Sequence, residues 1–343
     1  GPIGSSAEGE LNAMTEKLRV ADVDAAARRA ADRLNGIVAQ TPLRPYRALS
    51  ARVGANIQLK LENEQHTGSF KYRGAVNRML TLDPAVRNRG VVVASSGNHG
   101  AAVARAMRDL EAPGVVFVPE HVSGRKLATI RDLGADVRLH GSNGLDTELH
   151  ARAYAAANGM FYLSPYNDPE VIAGQGSIGV ELLDDMPELD VAIIAVGGGG
   201  LIAGVASVLK TAKPDVRIVA AQPAASAVMA LSVDAGRIID VDEEPTLSDG
   251  TAGGIEEGAI TFELVRQLAD EFALVPEFDI AAAMRDLEDD TGIVAEGAAT
   301  LTLAAINLDA GRYRGQNVLA LICGGNVAPD TVAMAREMAG SGG

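Results

Sequence analysis

Short runs of β-branched and other apolar residues recur along the chain, and alanine-rich stretches with helical periodicity lie between them. Nearly continuous apolar strands that alternate with helices are typical of a parallel sheet covered on both faces. The pattern therefore predicts an α/β fold. The predicted strands are residues 56–62, 90–95, 114–120, 135–141, 190–196, 216–222 and 317–323, and two clear predicted helices are residues 101–110 and 296–308.

The stretch from residue 90 to residue 141 holds three of these strands, which predicts a compact unit inserted in a larger one. We expect a small domain at residues 86–165 and a large domain formed by residues 14–85 and 166–343. Residues 1–13 precede Met14 and are interpreted as an added tag and linker. Little sequence follows the last strand, so we expect no C-terminal regulatory domain.

Four consecutive glycines, Gly197–Gly200, follow a predicted buried strand and precede a helical stretch. Glycine lets the backbone approach a phosphate closely, and the following helix offers unpaired N–H groups. A tight turn without a ligand would need fewer glycines. Gly198, Gly200 and Ala203 also match the dinucleotide pattern G-x-G-x-x-A, but Gln222 stands where that interpretation expects an acidic residue. A small phosphate-bearing cofactor fits better.

Three further features have both an ordinary interpretation and a chemical one. In SSGNHG, residues 95–100, the amides and hydroxyls are suited to a carboxylate, but Ser and Asn are also common at helix N-caps. Lys71 follows a Thr-Gly-Ser turn, and most lysines are solvated. Cys323 ends a very apolar strand, where a lone cysteine is usually a small hydrophobe.

The composition excludes several classes of protein. The chain has 30 Lys and Arg against 45 Asp and Glu, and this net charge of −15 argues against a nucleic-acid-binding surface. No apolar run reaches the length of a membrane span. A single cysteine excludes an intrachain disulfide and favours a reducing, cytoplasmic setting. The five histidines lack metal-ligand spacing, so we expect no zinc site.

Four motifs in this order, GSFKYRGA, SSGNHGAA, GGGGLIAG and CGGNV, make the chain similar to the fold-type-II pyridoxal-phosphate enzymes. The threonine/serine dehydratases, with serine racemase as a near relative, are the members it most resembles. The resemblance extends over roughly residues 22–340. It implies a two-domain fold of the tryptophan synthase β type, with parallel twisted sheets, helices on both faces, and the cofactor on the large domain.

The resemblance also implies roles for the matched residues. Lys71 would form the Schiff base with pyridoxal 5'-phosphate and act as the catalytic base, and Ser96 would be a second catalytic residue. Around the cofactor would lie Phe70, Asn98, Gly197, Gly198, Gly199, Gly200 and Cys323. Around the substrate carboxylate would lie Ser95, Gly97 and His99.

The implied reaction is elimination of water from a β-hydroxy amino acid, namely L-threonine, L-serine or both, to give a 2-oxo acid and ammonia. A thiol is only a weak donor, so Cys323 against the pyridine nitrogen supports elimination. Ser96 keeps serine racemisation open, and the glycines at 253 and 254 leave room for a bulkier substrate. Hydroxyaspartate ranks lower, because Thr147 stands where serine racemase has an arginine.

Gln222 bears on one further expectation, because serine racemases place an acidic ligand for a divalent ion at that position. We therefore expect no metal there. We also expect a homodimer whose only other partner is the amino-acid substrate, without contact to nucleic acid or membrane. Two competing classes, a nicotinamide dehydrogenase and a non-enzymatic binding protein, predict a colourless purified protein, whereas a pyridoxal-phosphate enzyme is yellow.

Overall fold

The computed structural model describes residues 17–341, and the interpreted tag lies outside this range. The strands are β1 Leu43–Pro45, β2 Asn56–Leu61, β3 Val91–Ala94, β4 Gly114–Val118, β5 Asp136–Leu139, β6 Phe161–Tyr162, β7 Val191–Ala195, β8 Arg217–Pro223, β9 Glu271–Val275 and β10 Asn317–Ile322. The α-helices are α1 Val20–Leu34, α2 Arg47–Val53, α3 Lys71–Thr81, α4 Pro84–Arg89, α5 Asn98–Asp109, α6 Gly124–Asp132, α7 Gly144–Ala157, α8 Pro169–Asp185, α9 Gly200–Ala212, α10 Val228–Ala235, α11 Ile260–Leu268, α12 Glu277–Thr291, α13 Gly297–Leu308 and α14 Pro329–Gly340.

Two sheets organise the chain. The larger sheet has the strand order β1-β2-β10-β7-β8-β9, and the smaller has the order β5-β4-β3-β6. Every neighbouring pair is parallel except β1 and β2, which run antiparallel. The predicted α/β class with parallel sheets is therefore confirmed, and each of the seven predicted strands is present.

The strands of the smaller sheet all fall between residues 91 and 162. Its hydrophobic core nevertheless includes residues from outside that stretch, among them Leu34, Tyr72 and Met79. Helix α1 thus contributes to both hydrophobic cores, since Val23 packs in the larger one and Leu34 in the smaller one, whereas the buried apolar residues of α3 belong to the smaller core. The division into domains at residues 86–165 stays a prediction, since the packing continues across its first boundary.

A close crossing of helices α3 and α8 positions the segment that begins with Lys71. A Cβ atom on Gly174 would lie 2.6 Å from the Arg73 carbonyl oxygen and from the Gly74 Cα. Only glycine permits backbones to approach this closely. Asp168 caps the start of α8 by accepting hydrogen bonds from the next turn, and Pro169 fits the first helical position. The crossing therefore fixes α3 against a well-defined neighbour.

Among residues 17–341, no helix has the length and apolarity needed to cross a membrane.

Candidate active site

A cavity of about 750 Å³ opens where strands of both sheets end. Ala94 ends β3, Ala195 ends β7, and Cys323 follows β10, and all three line it. Parallel sheets bind ligands at the carboxyl ends of their strands. The structure brings every predicted site residue to this cavity: Phe70, Lys71, Ser95, Ser96, Gly97, Asn98, His99, Gly197, Gly198, Gly199, Gly200 and Cys323 all line it.

A left-handed bend turns Lys71 toward the cavity. Thr67 has φ 62° and Gly68 has φ 77°, so both residues adopt the left-handed backbone conformation. The bend docks on the segment after β10, because the Phe70 amide donates to the Cys323 carbonyl at 3.1 Å and the Gly325 amide donates to the Gly68 carbonyl at 2.9 Å. Helix α3 then begins at Lys71.

The Lys71 amine is held inside this site. Its Nζ donates a hydrogen bond to the Pro165 carbonyl oxygen at 3.1 Å. Burial lowers the pKa of Lys71 to about 8, although the neighbouring Cys323 and Glu296 partly oppose that change. A larger fraction of neutral amine therefore exists near neutral pH than an exposed lysine would provide. A neutral amine can act as a nucleophile or as a base.

The glycine turn after β7 packs so tightly that side chains are excluded from it. A Cβ on Gly198 would lie 2.3 Å from the Tyr166 ring, and one on Gly197 would lie 3.0 Å from the Thr251 Cα. Gly199 has φ 91° and precedes the first residue of α9. Backbone N–H groups at a helix start form an anion-binding cradle, and all four glycines line the cavity.

The turn after β3 presents side chains instead. The Ser95 hydroxyl accepts a hydrogen bond from the Gly97 amide at 3.2 Å. Ser96 lines the main cavity and also an adjoining, more open cavity of about 330 Å³. Within this turn, Gly100 has no room for a side chain, because a Cβ there would lie 2.0 Å from the Ser95 carbonyl oxygen. The hydroxyls therefore stand at the cavity wall ahead of α5.

His99 is buried and neutral. Its Nε2 lies 2.9 Å from the Leu163 carbonyl oxygen, so this nitrogen carries the proton and donates it. Burial lowers the pKa of His99 to about 3, and the nearby Lys71 lowers it further, while the hydrogen bond to Leu163 opposes the change. The other ring nitrogen is then an unprotonated acceptor.

Glu296 forms the centre of a polar cluster beside the lysine. It accepts from the Asn98 Nδ2 at 2.8 Å and from the Asn326 amide at 3.0 Å. Asn98 Oδ1 in turn accepts from Asn326 Nδ2 at 2.8 Å. Burial raises the pKa of Glu296 to about 7, although these hydrogen bonds lower it. Glu296 also lines the cavity.

Cys323 is buried at 4% exposure and makes no disulfide. Burial raises the pKa of its thiol well above the ordinary value, and the adjacent Glu296 raises it further. The thiol is therefore neutral at physiological pH, which excludes it as a thiolate nucleophile.

Sequence reasoning missed Pro165 and Tyr166. The Pro165 carbonyl holds the lysine amine, and the Tyr166 ring packs on the glycine turn while its hydroxyl accepts from the Glu256 amide at 2.9 Å. Both residues follow β6, a two-residue strand with no apolar run of its own. Only the regular spacing of strands could have indicated that a further strand end lay here.

Both polar atoms of the Gln222 side chain are hydrogen-bonded to the surrounding backbone. Its Nε2 donates to the Val196 carbonyl at 3.0 Å, and its Oε1 accepts from the Ala230 amide at 2.8 Å. Within the described part of the chain, no group of three or more His, Cys, Asp or Glu side chains is arranged to hold a metal ion. The expectation of no metal at Gln222 stays a prediction.

The donors around the cavity fit pyridoxal 5'-phosphate. The turn at Gly197–Gly200 lines the cavity without side chains of its own, and it offers backbone amides for a phosphate. Lys71 supplies an amine of lowered pKa on the same cavity, with the Phe70 ring 5.1 Å from its Nζ. Phosphate cradle, amine and aromatic face are the three groups that this cofactor requires.

Comparison with known proteins agrees with this fit. The family model described as pyridoxal-phosphate dependent enzyme matches residues 34–324. The chain is 40% identical over 300 residues to the L-threonine ammonia-lyase of Thermotoga maritima, covering 86% of this chain and 73% of the relative. It is also 40% identical over 294 residues to the catabolic L-threonine dehydratase TdcB of Staphylococcus aureus strain N315, covering 84% and 85% of the two chains.

Solved structures extend the similarity to the whole fold. Threonine deaminase isoform 2 from Solanum lycopersicum superposes with a TM-score of 0.90 at 30% identity, covering 99% of this chain and 90% of that one. Maize serine racemase gives a TM-score of 0.84 at 31% identity, covering 91% and 97%. The predicted fold-type-II architecture and the predicted cofactor are thereby confirmed, and the chain belongs to the pyridoxal-phosphate-dependent enzyme family.

Proposed function

We propose that this protein is a carbon–oxygen lyase that eliminates water from L-threonine, L-serine or both, releasing a 2-oxo acid and ammonia. The observation that carries the proposal is the lysine amine of lowered pKa, which shares one cavity with a glycine cradle and a serine-rich turn. The relatives named threonine ammonia-lyase and threonine dehydratase support the choice of substrate and a catabolic role.

The cofactor would be held by residues from three segments of the chain. Lys71 would carry it covalently, Gly197–Gly200 would bind its phosphate, and Phe70 would lie against its ring. Asn98 and Cys323 would face the ring's polar atoms. When bound, pyridoxal phosphate links to the substrate amine and withdraws electrons from Cα, which makes the α-hydrogen acidic.

The protein's own groups would bind the substrate and move its protons. Ser95, Gly97 and His99 would bind the substrate carboxylate through a hydroxyl and backbone amides, as the start of α5 favours an anion. Lys71 Nζ, neutral in part near pH 7, would take the α-proton. Ser96 would assist departure of the β-hydroxyl as water. The unsaturated amine released from the site then hydrolyses to the 2-oxo acid and ammonia.

Serine racemisation is the second candidate. Ser96 lines the cavity, and a hydroxyl on the face of Cα opposite the lysine would allow a proton to return there. Similarity to maize serine racemase supports this alternative. A bulkier β-hydroxy amino acid fits the open positions Gly253 and Gly254, where a Cβ would meet no atom within 4 Å. Hydroxyaspartate is a less favoured candidate substrate, because its second carboxylate calls for a cation and Thr147 stands where serine racemase has an arginine.

We further propose a cytoplasmic homodimer whose partner in catalysis is the amino-acid substrate alone, and a small domain at residues 86–165 beside a large cofactor-binding domain. Gel filtration with light scattering would measure the oligomer, and a monomer would contradict this part of the proposal.

The deciding experiment measures 2-oxo acid release from a panel of β-hydroxy amino acids by the cofactor-loaded protein. We expect 2-oxobutanoate from L-threonine, pyruvate from L-serine, and a yellow imine absorbance. Lys71→Ala should remove both the activity and the imine band. The matched control is Lys210→Ala. Lys210 lies on α9, its Nζ is 2.7 Å from a carboxylate oxygen of Asp270, and neither residue lines the cavity.

Two results would overturn the proposal. An unchanged imine band in Lys71→Ala would show that another amine carries the cofactor. Substantial D-serine from L-serine, measured by chiral chromatography and exceeding pyruvate, would make racemisation the principal reaction.

A further inference from the structure

Outside the cavity, three fully buried charged side chains, Lys60, Glu62 and Arg73, form a cluster with the partly exposed Glu181. We propose that Arg73 and Glu62 are positioning residues, which set the orientation of Lys71 and Cys323 toward the cofactor. This inference rests on the proposed function, because it assigns those two residues to cofactor chemistry.

Arg73 has no exposed surface and is bound by two carboxylates. Its Nε and Nη2 donate to the two oxygens of Glu62 at 2.9 and 2.8 Å. Its Nη1 and Nη2 donate to the two oxygens of Glu181 at 2.6 and 3.1 Å. Both pairs are bidentate, so the planar guanidinium is held in one orientation. The Thr41 hydroxyl also donates to Glu62, at 2.5 Å.

A second buried cation completes the cluster. Lys60 has no exposed surface, and its Nζ donates to Glu181 at 2.7 Å and to the Thr41 carbonyl at 2.8 Å. Asp185, partly exposed, lies 3.4 Å from the same nitrogen. The cluster therefore pairs the fully buried Arg73 and Lys60 with the fully buried Glu62 and the partly exposed Glu181, so each of these four charges has a partner.

The cluster adjoins the two residues that it would position. Arg73 lies two residues after Lys71, in the first turn of α3. Glu62 follows β2, whose last residue Leu61 pairs with Ile322, the residue before Cys323. Glu62 is close enough to contribute to the raised pKa of the Cys323 thiol. None of the charged groups in the cluster lines the cavity, so they would act through their neighbours.

Stability alone does not account for such a cluster. Burying charges costs solvation energy, and well-packed apolar residues of similar size are often equally stabilising. Helix α3 is already attached to α8 by the close contact of Gly74 and Gly174. The two bidentate pairs of Arg73 fix how the first turn of α3 is rotated relative to β2. That rotation determines where the Lys71 amine points relative to Cys323.

The test replaces the planar guanidinium of Arg73 by a side chain with the same charge. Arg73→Lys cannot make two bidentate pairs. We expect it to lower kcat at least tenfold, with a substrate KM within about threefold of wild type. We also expect a shifted pH titration of the imine absorbance, because that titration reports the surroundings of the lysine-linked cofactor and needs no substrate.

Arg78→Lys is the matched control. Arg78 lies on the same helix at its other end, and its Nε donates to Asp168 of the α8 start at 2.7 Å. Both substitutions therefore weaken one ion pair between α3 and α8. We expect Arg78→Lys to change the melting temperature at most, while kcat and the imine titration stay within twofold of wild type.

Equal behaviour of the two variants would overturn the proposal. If Arg73→Lys lowers only the melting temperature, the cluster is structural. If that variant does not fold, Glu62→Gln supplies the test, since it keeps one oxygen for Arg73 but removes the charge and one of the two bidentate pairs. An unchanged imine titration and unchanged kcat in Glu62→Gln would then contradict the inference. A wild-type protein that shows the imine band but no elimination would contradict the proposed function alone.

Discussion

Two strand-to-helix turns meet at the cavity, and they are built in opposite ways. The turn at Gly197–Gly200 connects β7 to α9 and carries no side chains, because the Tyr166 ring and Thr251 occupy the space where Cβ atoms would stand. The turn at residues 95–100 connects β3 to α5, and a Cβ on its Gly97 would meet nothing closer than the Ser95 hydroxyl at 4.0 Å.

This difference would let one cavity bind the two proposed anions, the cofactor phosphate and the substrate carboxylate, in different ways. A turn without side chains offers only backbone N–H groups, whose positions do not depend on rotamers and suit a cofactor phosphate that stays bound. A turn with hydroxyl groups offers side chains that can rotate to suit a substrate that binds and leaves in every cycle. The cofactor and the substrate therefore call for different residue types at otherwise equivalent places in the fold.

Gly198→Ala tests most directly whether the glycine turn must lack side chains to bind the cofactor. The added methyl would lie 2.3 Å from the Tyr166 ring, which its hydroxyl contact to Glu256 holds in place. Overpacking of this kind costs about 2 kcal/mol, so cofactor affinity should fall roughly 30-fold. Equilibrium dialysis against pyridoxal phosphate measures this loss.

Gly254→Ala is the control for Gly198→Ala. Gly254 also lines the cavity, and a Cβ there would meet no atom within 4 Å. Its cofactor affinity should stay within about twofold of wild type, since nothing is displaced. A similar loss in both variants would mean that tight packing at the glycine turn is not what excludes a side chain.

The second prediction concerns acid, because only the serine-rich turn contains a buried histidine. The pKa of His99 is about 3 in the folded protein, against about 6.5 for a free histidine, so the unfolded chain binds a proton first as the pH falls. The contribution of His99 to stability is therefore lost between pH 6.5 and pH 3. At pH 5 the loss amounts to about 2 kcal/mol.

Urea unfolding of the cofactor-loaded protein at pH 7.5 and pH 5 measures this effect. His99→Gln keeps an N–H donor for the Leu163 carbonyl but cannot bind a proton. The variant should therefore lose less stability between the two pH values than wild type does, by about 2 kcal/mol. His121→Gln, at an exposed site, should behave like wild type. Equal acid sensitivity of His99→Gln and wild type would contradict the assignment.

The same two turns show what the sequence could reveal. Both were recognisable because a β-branched run, a glycine-rich turn and a helical stretch are local patterns, and local patterns survive without knowledge of the fold. Strands β6 and β1 were missed because two or three residues carry no periodicity. Strand β9 was missed because most of its residues are only partly buried.

Contacts between distant segments were beyond any local pattern. The hydrogen bond from Asn98 to Glu296 joins residues 198 positions apart, and the one from Asn326 to Asn98 spans 228 positions. The Pro165 carbonyl that holds the Lys71 amine lies 94 residues away from it. Sequence motifs could name several of these residues, but the pairing depends on how the two sheets pack together.

The third prediction tests the serine-rich turn through a substitution with a modest effect on substrate binding. Gly97→Ala adds a methyl group that displaces no atom, since the nearest one is 4.0 Å away, and Gly97 has a negative φ of −103°. The methyl would narrow only the place proposed for the substrate carboxylate. We expect KM for L-threonine to rise about fivefold, equivalent to about 1 kcal/mol of binding, while cofactor affinity stays within twofold. Steady-state kinetics and dialysis separate the two quantities. A loss of cofactor affinity as large as that of Gly198→Ala would mean that both turns bind the cofactor. The proposal that the glycine turn binds the cofactor and the serine-rich turn binds the substrate would then be wrong.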